Sequence, residues 1–318
     1  MTDKKIIAIA GATGSQGGGL ARAILADPES EFSVRALTRD VDSVAAKELE
    51  RQGAELVKVD LQSQDDITQA FEGAYGAYCV TFYWQHLSAD KETMHAANLA
   101  TGARAAGVKH VIWSTLEDSR ALIPLGSGRM PVLDGRYNVP HADVKAESNK
   151  LFSRLGVPTT FLQTSFYWEN FINLNLGPQR AQDGKLWFTL PIGDAVLSGI
   201  SSEDIGKCAL GIFKRGPAMV GETVSIAGEH LSGAEMAAEL EAALGEQVLY
   251  SPLKPADFRE FGFPGASDLA NMFQYQADCS DELVKARDID ISRSLNPELR
   301  NFSTWLKHNK DLIPLGQG

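Results

Sequence analysis

Three glycines near the start of the chain have the spacing that lets a backbone approach a phosphate group. Gly11, Gly14 and Gly17 lie in IIAIAGATGSQGGGLARAIL, directly after an apolar run and directly before a helical one. There the first glycine permits a tight turn, the second brings the backbone close to a pyrophosphate, and the third lets helix and strand pack. The helix N-terminus attracts the phosphates. The pattern predicts a dinucleotide site, with Thr13 and Gln16 in the same turn.

The end of the second predicted strand indicates which dinucleotide binds. This strand reads RALTRD and places Thr38 and Arg39 at its tip. An arginine there can pair with a 2′-phosphate through charge-assisted hydrogen bonds, whereas a carboxylate binds the free 2′-hydroxyl of NAD. We therefore expect NADPH or NADP+ as the cofactor. NADH stays open as the alternative, because Asp40 follows directly and would take the tip if the strand ended one residue later.

Polar and aromatic residues follow the third and fourth predicted strands. Asp60 and Leu61 stand where a carboxylate can accept a bond from the adenine amino group and an apolar side chain can cover the ring. Asp60 could equally cap the next helix. Thr81, Phe82 and Tyr83 end the fourth strand, beside the expected path of the pyrophosphate and the nicotinamide ribose. These aromatic residues could also belong to the core.

Short β-rich runs and helical segments alternate through the first 160 residues. Strands are predicted at Lys5 to Ala10, Ser33 to Thr38, Glu55 to Val59, Ala77 to Thr81, His110 to Ser114 and Thr159 to Gln163, and helices at Gly18 to Ala26, Ser43 to Gln52, Gln64 to Phe71, Lys91 to Ala106 and Val144 to Leu155. This alternation predicts an α/β fold with a Rossmann-type, doubly wound parallel sheet, whose ligands lie beyond the carboxyl ends of the strands.

The spacing loosens in the second half of the chain. We expect an NAD(P)-binding domain over residues 1–160 and a smaller C-terminal α/β lobe over 161–318, closing over the cofactor cleft with some segments returning to the sheet. The run DGKLWFTLPIGDAVLSGI predicts a small strand pair, followed by a helix capped by Ser201 or Ser202. The segment SGAEMAAELEAALG predicts an amphipathic helix.

Composition excludes several classes of partner. The 318 residues carry a formal net charge of −11, which repels phosphate backbones and acidic lipids, so we expect no direct binding of nucleic acid or membrane. No apolar run approaches the length that spans a bilayer, and the first residues enter a strand at once instead of forming a signal peptide. The three cysteines show no metal-binding pattern, and we expect no metal. These features predict a cytoplasmic protein.

Longer motifs resemble those of the NmrA-like family, atypical relatives of the short-chain dehydrogenases and reductases. They are VTFYW, QTSFYWENF, LPIGDAVLSGISSEDIG and FPGASDLANMF, together with the glycine turn and the TRD strand end. The resemblance covers nearly the whole chain and is greatest to an NADPH-sensing branch of the family. It implies that the segment from Phe166 to Asn170 lines the nicotinamide end of the cleft, with Phe166, Tyr167 and Asn170 as cofactor contacts. Trp168 and Phe171 are expected in the core.

The residues that manage the proton depart from the short-chain dehydrogenase pattern. Those enzymes have a tyrosine four residues before a lysine, and this chain reads HADVK there. The resemblance implies that Lys145 binds the nicotinamide ribose, although a lysine in the first turn of a helix can also be merely solvated. His141 stands at the tyrosine position and could act as an acid, because imidazole titrates near neutrality. After Pro140 it could also be an ordinary loop residue.

Other hydroxyl groups could replace the missing tyrosine. Ser114 matches the region of the catalytic serine of short-chain dehydrogenases, but it could simply cap the following segment. Tyr83, Tyr137 and Tyr167 are further candidate proton donors. The sequence does not place any of these hydroxyls beside a substrate.

Two functions follow from this pattern. The missing tyrosine and the resemblance to regulators favour an NADPH-binding redox sensor that acts through protein partners, as a monomer or a homodimer. The alternative is an NADPH-dependent reductase of a small apolar carbonyl, enone, quinone or imine, with Lys145 and His141 as catalytic residues. Isoflavone-reductase-like relatives keep the lysine without the tyrosine, so the alternative stays open.

Overall fold

The described part of the chain, residues 4–316 of a computed structural model, is built around one seven-stranded sheet. The strands of the chain are β1 (Lys5–Ala10), β2 (Phe32–Thr38), β3 (Glu55–Lys58), β4 (Gly76–Cys79), β5 (His110–Thr115), β6 (Thr159–Gln163), β7 (Phe166–Tyr167), β8 (Gln179–Arg180), β9 (Leu186–Phe188), β10 (Val196–Ile200), β11 (Thr223–Ser225), β12 (Glu229–Ser232) and β13 (Val248–Tyr250). The central sheet has the order β11-β6-β5-β4-β1-β2-β3, and all its neighbouring strands are parallel. This order confirms the predicted Rossmann-type fold.

Helices cover both faces of this sheet and form much of the second half. They are α1 (Ser15–Leu25), α2 (Val44–Arg51), α3 (Gln64–Phe71), α4 (Ala89–Ala105), α5 (Pro140–Arg154), α6 (Asn170–Asn173), α7 (Ser202–Arg215), α8 (Gly233–Leu244), α9 (Pro255–Arg259), α10 (Ala266–Asp278), α11 (Ser280–Ala286), α12 (Ile289–Leu295) and α13 (Phe302–Asn309). No helix within residues 4–316 is both long enough and apolar enough to cross a membrane.

Strand β1 shows why the sheet has two buried faces. Its side chains alternate, so Ile7 and Ile9 join the core beneath α1 and α7, whereas Ala8 and Ala10 join the core beneath α3, α4 and α5. All four side chains are fully buried. A strand covered on both faces reads as a continuous apolar run, which is how the sequence revealed it.

Helix α5 begins earlier than predicted, and this corrects the loop interpretation of His141. The helix starts at Pro140, which suits a first helical position because it lacks an N–H group. The buried Asp143 carboxylate accepts the backbone N–H groups of Ser119 and Val139 at 2.8 and 3.0 Å. The bond to Ser119 joins α5 to a separate segment, and together the two bonds fix the first turn, which places His141 inside the helix.

The predicted strand pair in the second half does not form. Strand β9 lies between β8 and β13, and β10 lies between β12 and β7, in two separate three-stranded sheets. Leu190 and Ile192, in the segment that connects β9 to β10, are buried in the core of the second half. Because this connection is packed into the core, it does not act as a hairpin turn. Strand β9 instead pairs antiparallel with β8, directly before it in sequence, and β10 pairs with the more distant β7 and β12.

The second half also contributes directly to the central sheet. Strand β11 extends the sheet beside β6, and α7 packs against α1, the helix that follows the glycine turn. A Cβ atom on Gly206 would lie only 2.1 Å from the backbone nitrogen of Leu20, so only glycine permits this approach. Ser201 is the N-cap residue of α7, one of the two predicted caps, but its side chain makes no capping bond. The Glu169 carboxylate accepts the Ser202 N–H group at 2.9 Å instead.

Candidate cofactor and active site

A cleft of about 2100 Å³ opens beyond the carboxyl ends of the parallel strands. Every residue predicted to contact the cofactor or to act in catalysis lines it: Gly11, Thr13, Gly14, Gln16, Gly17, Arg39, Asp60, Leu61, Thr81, Phe82, His141, Lys145, Phe166, Tyr167 and Asn170. The fold thus brings these residues to one edge of the sheet, where a doubly wound fold binds its ligands. Their individual roles remain predictions.

The glycine turn has a shape that requires glycine. Gly11 has φ +65, in the left-handed region, and its carbonyl accepts the Gly14 N–H group at 2.8 Å. A Cβ atom on Gly17 would lie 2.5 Å from the Gly11 oxygen. Helix α1 starts immediately after Gly14, which has no side chain to cap it, so the first N–H groups of the helix are open to an anion.

Arg39, not Asp40, is the first residue beyond the tip of β2, although both are exposed. The strand ends at Thr38, and Arg39 is the first residue beyond it, exposed and without an ion pair to another residue in 4–316. Asp40 is part of the following turn, where its Oδ1 accepts the Asp42 N–H group at 3.0 Å. The arginine therefore lines the cleft with no residue of 4–316 pairing with its charge.

Asp60 likewise keeps its carboxylate within a turn. Its Oδ1 accepts the Gln62 N–H group at 3.0 Å, and Ser63 is the residue that caps α3, by accepting from Asp66. The helix-capping interpretation of Asp60 is thus wrong, because the cap is three residues further on. Thr81 also differs from the prediction, since β4 ends at Cys79 and leaves Thr81 in the loop that follows.

Several predicted polar residues bind one another beneath the glycine turn. The Gln16 side-chain oxygen accepts from the Tyr78 hydroxyl and, at 2.7 Å, from the Ser114 hydroxyl, and its nitrogen donates to the Tyr167 oxygen. Ser114 therefore supports the turn and does not cap the segment after β5. Burial raises the pKa values of the Tyr78 and Tyr167 phenols, which keeps both protonated.

Lys145 is buried and fully hydrogen-bonded, not solvated. Its ammonium donates to the Thr81 hydroxyl at 2.6 Å and to the Thr81 carbonyl at 3.0 Å. It also forms an ion pair with Glu92 at 2.6 Å, and Glu92 has no solvent exposure. Glu92 was not predicted as a site residue, because an acidic residue in the first turn of a helix is usually explained by its favourable interaction with the helix dipole.

His141 belongs to a buried pair that the sequence did not reveal. Its Nδ1 lies 2.7 Å from Oδ1 of Asp268, and its backbone N–H group donates to Oδ2 of the same carboxylate at 3.1 Å. The ring packs against Trp84, and its Nε2 makes no hydrogen bond within residues 4–316. The carboxylate fixes the ring with Nδ1 protonated, so Nε2 is the nitrogen left to serve the cleft.

The remaining aromatic candidates fall into separate environments. Tyr83 lines the cleft, and burial raises the pKa of its phenol, whereas Tyr137 lies outside the cleft with its hydroxyl 3.4 Å from Glu147. Trp168 and Phe171 are buried in the core of the second half, as expected. Apolar side chains in the wall of the cleft include Val139, Phe166, Leu269 and Met272, and the same cleft is also lined by Tyr275 and by the ion pair of Glu117 and Arg287.

Three side chains near Lys145 could suggest a metal site, but their hydrogen bonds do not suit one. His86, Glu92 and His95 bring their ligand atoms within 4.8 Å of one another. However, Nδ1 of His86 accepts the Ser88 N–H group at 3.1 Å, so the neutral ring carries its proton on Nε2, which faces Glu92 at 3.3 Å. A protonated nitrogen cannot coordinate a cation.

The sheet order, the glycine turn and the cleft together define a Rossmann-type dinucleotide-binding protein. The sequence model of the NmrA-like family matches residues 3–306, so the chain belongs to that family. The NAD(P)H azoreductase of Xenophilus azovorans is 30% identical over 249 residues, covering 77% of this chain and 76% of that protein. FrzB of Cladobotryum sp., an NmrA-like family domain-containing oxidoreductase, is 28% identical over 291 residues, covering 85% of this chain and 83% of that protein.

Solved structures agree with this assignment. The crystal structure of NmrA, a negative transcriptional regulator, is 25% identical, covers 96% of this chain and 95% of its own, and superposes with a TM-score of 0.78. NmrA has also been solved in complex with NADP. The resemblance inferred from the sequence motifs is therefore confirmed at the level of the family and the fold.

Proposed function

We propose that this protein is an NADPH-dependent reductase of apolar, unsaturated substrates. The observation that carries the proposal is the His141–Asp268 pair. His141 lies on the same face of α5 as Lys145, one helical turn away. An imidazole with one nitrogen fixed by a carboxylate and the other left for the cleft has the arrangement of a general acid. The family relatives that are named oxidoreductases support the same conclusion.

The cleft fits the proposed cofactor. The glycine turn would hold the pyrophosphate, since a Cβ atom at Gly17 would fill the space that the backbone needs. Arg39 would bind the 2′-phosphate, and Asp60 with Leu61 would contact the adenine. Thr81 and Lys145 would contact the nicotinamide half, together with Phe166, Tyr167 and Asn170, which line the same cleft. When bound, NADPH supplies a hydride.

His141 would supply the proton that accompanies the hydride. The hydride that NADPH would supply would go to an electrophilic carbon or nitrogen of the substrate, and Nε2 of His141 would give a proton to the atom that takes up the displaced electron pair. Asp268 stabilises the charged imidazolium before the transfer and keeps the ring orientation after it. The ring then regains a proton from solvent, so each turnover consumes one NADPH and one proton.

The apolar side chains of the cleft wall would select the substrate class. Val139, Leu269 and Met272 offer no charge to a ligand beside His141. Trp84 and Phe82 at the rim are 37% and 61% exposed, which leaves aromatic surface for a flat substrate. We therefore propose a small apolar carbonyl, enone, quinone or imine, and the azoreductase relative adds azo compounds to this class.

The choice between NADPH and NADH depends on Arg39. We expect Arg39→Ala to weaken NADPH binding by about 10- to 100-fold, since a hydrogen-bonded charge pair contributes about 1.5–3 kcal/mol. NADH affinity should stay nearly constant, because NADH has no 2′-phosphate. Titration calorimetry with both cofactors measures the difference. Arg51→Ala removes an exposed arginine outside the cleft as the control. An unchanged NADPH preference would contradict the assignment.

The reductase proposal is tested by combining binding and turnover. Tight NADPH binding followed by loss of nicotinamide absorbance with at least one quinone, enone, aldehyde, imine or azo compound would support it. Binding without oxidation of NADPH by any compound of the panel would contradict it. Lys145→Ala should abolish turnover in the positive case.

A regulatory role is a second candidate, favoured by the similarity to NmrA, a negative transcriptional regulator. The missing tyrosine agrees with it. Here NADPH would act by changing the oligomeric state or the affinity for a protein partner. Light scattering and pull-down experiments on the empty, NADPH-loaded and NADP+-loaded protein test this. Identical behaviour in all three states would rule out the sensor.

A further inference from the structure

Lys145 has no unused hydrogen-bond donor in this structure. An ammonium group has three N–H groups, and the three acceptors around Nζ are the Thr81 hydroxyl, the Thr81 carbonyl and Glu92 Oε1. The group also lies 5.4 Å from the ring centre of Trp113. Lys145 can therefore serve a ligand only if it shares or exchanges one of these bonds.

Glu92 organises this arrangement from behind the cleft wall. Its Oε1 accepts from the Thr81 hydroxyl at 2.5 Å and from Lys145 at 2.6 Å, so one oxygen holds both groups. Unlike Lys145 and Thr81, Glu92 does not line the cleft. Burial alone would raise the pKa of Glu92, but the nearby ammonium and the hydroxyl bond outweigh it and lower the pKa. The carboxylate is thus ionised when the lysine is charged.

We propose that Glu92 is the positioning residue for Lys145 and thereby sets the affinity of the cleft for the nicotinamide half of the cofactor. The inference rests on the proposed cofactor role of Lys145. Glu92 touches neither cofactor nor substrate, and it acts by holding the ammonium beside Thr81. The bond from Lys145 to the Thr81 carbonyl is the longest of the three, so a ligand hydroxyl would replace this one. The other two acceptors, the Thr81 hydroxyl and Glu92, are bonded to each other and would stay beside the ammonium.

A comparison of two ligands separates positioning from general stability. Adenosine 2′,5′-bisphosphate carries the adenine and 2′-phosphate but lacks the nicotinamide half of NADPH. If Glu92 positions Lys145, Glu92→Gln should raise the NADPH dissociation constant by about tenfold and change that of the bisphosphate by less than about twofold. Equal losses for both ligands, or no loss for either, would overturn the inference.

Three further variants complete the test. Glu92→Asp keeps the charge and should recover part of the NADPH affinity. Glu92→Gln combined with Lys145→Met should bind NADPH no worse than Lys145→Met alone, because the carboxylate acts through the ammonium. Glu147→Gln is the control, since Glu147 is on α5, the helix of Lys145, lies outside the cleft, and pairs with Arg120 at 2.8 Å.

The outcomes distinguish this inference from the proposed function. If Lys145→Met weakens NADPH binding and Glu92→Gln does not, the positioning role is wrong and the role of Lys145 stands. If Lys145→Met itself keeps native NADPH affinity, the positioning role of Glu92 and the cofactor role of Lys145 are both wrong. If the binding changes occur as expected and no substrate is reduced, Glu92 still positions Lys145 and the reductase proposal alone is contradicted.

Discussion

Replacing His141 with glutamine is expected to reduce turnover by about a thousandfold, since a positioned general acid contributes about 10²–10⁴ in rate. Glutamine can fill the space of the imidazole and form one of its hydrogen bonds, but it cannot release a proton. The NADPH dissociation constant should change little, because His141 is proposed to act on the substrate and not to bind the cofactor. Stopped-flow measurement of NADPH oxidation, with binding measured separately, checks both statements.

Two companion variants make this result interpretable. Asp268→Asn leaves His141 in place but removes the charge that stabilises the imidazolium, so turnover should fall by about tenfold or more. His308→Gln, at an exposed histidine of α13, should leave turnover unchanged. If His141→Gln retained turnover within about threefold of the native rate, another group, with Tyr83 as the first candidate, would be the donor.

The second large effect is expected on stability, at the contact between α1 and α7. In Gly206→Ala the new methyl group would overlap the backbone at Leu20 and Gly19, at 2.1 and 2.2 Å. Backbone atoms in two packed helices cannot turn aside as a side chain can, so α7 must move. Overpacking costs about 1–3 kcal/mol where neighbours can shift, and we expect a loss at or above the upper end. Chemical denaturation measures the free energy of unfolding.

Gly18→Ala on α1 is the matched control for this substitution. A Cβ atom there would meet the end of the flexible Arg22 side chain at 3.0 Å, which can move aside, and the Ala12 carbonyl oxygen at 3.3 Å, which needs to shift by only a few tenths of an ångström. Alanine also favours the helix over glycine by about 1 kcal/mol. Gly18→Ala should therefore be neutral or stabilising. If both glycine variants were equally stable, the close approach of the two helices would not be what requires glycine.

The elements of the central sheet were predictable because their signals are local. Strand β6 and helix α3 have the predicted bounds, since a buried parallel strand is an apolar run and an N-cap serine marks where a helix starts. The start of α5 was missed by four residues. Its first turn is fixed by Asp143 bonding to Ser119, a contact between segments that no local pattern reports.

The same reasoning explains which site residues escaped prediction. The glycine turn and Arg39 were predicted as site residues because each lies at a strand end that the sequence pattern locates. His141 was also predicted, but its partner Asp268 was not, because the two are 127 residues apart in sequence and only the packing of α10 against α5 brings them together. Asp268 lies in FPGASDLANMF, one of the motifs that carried the family resemblance, so that motif was the available signal.

The Gln16 side chain has a kinetic consequence for the cofactor site. It ties the glycine turn to Tyr78 on β4, to Ser114 on β5 and to Tyr167 on β7, which belongs to a different sheet. Any motion that draws β7 away from the central sheet must break a bond to the turn that would hold the pyrophosphate. We therefore expect opening of the cleft and departure of a bound dinucleotide to share one barrier, so that its residence time would report how often the two sheets separate.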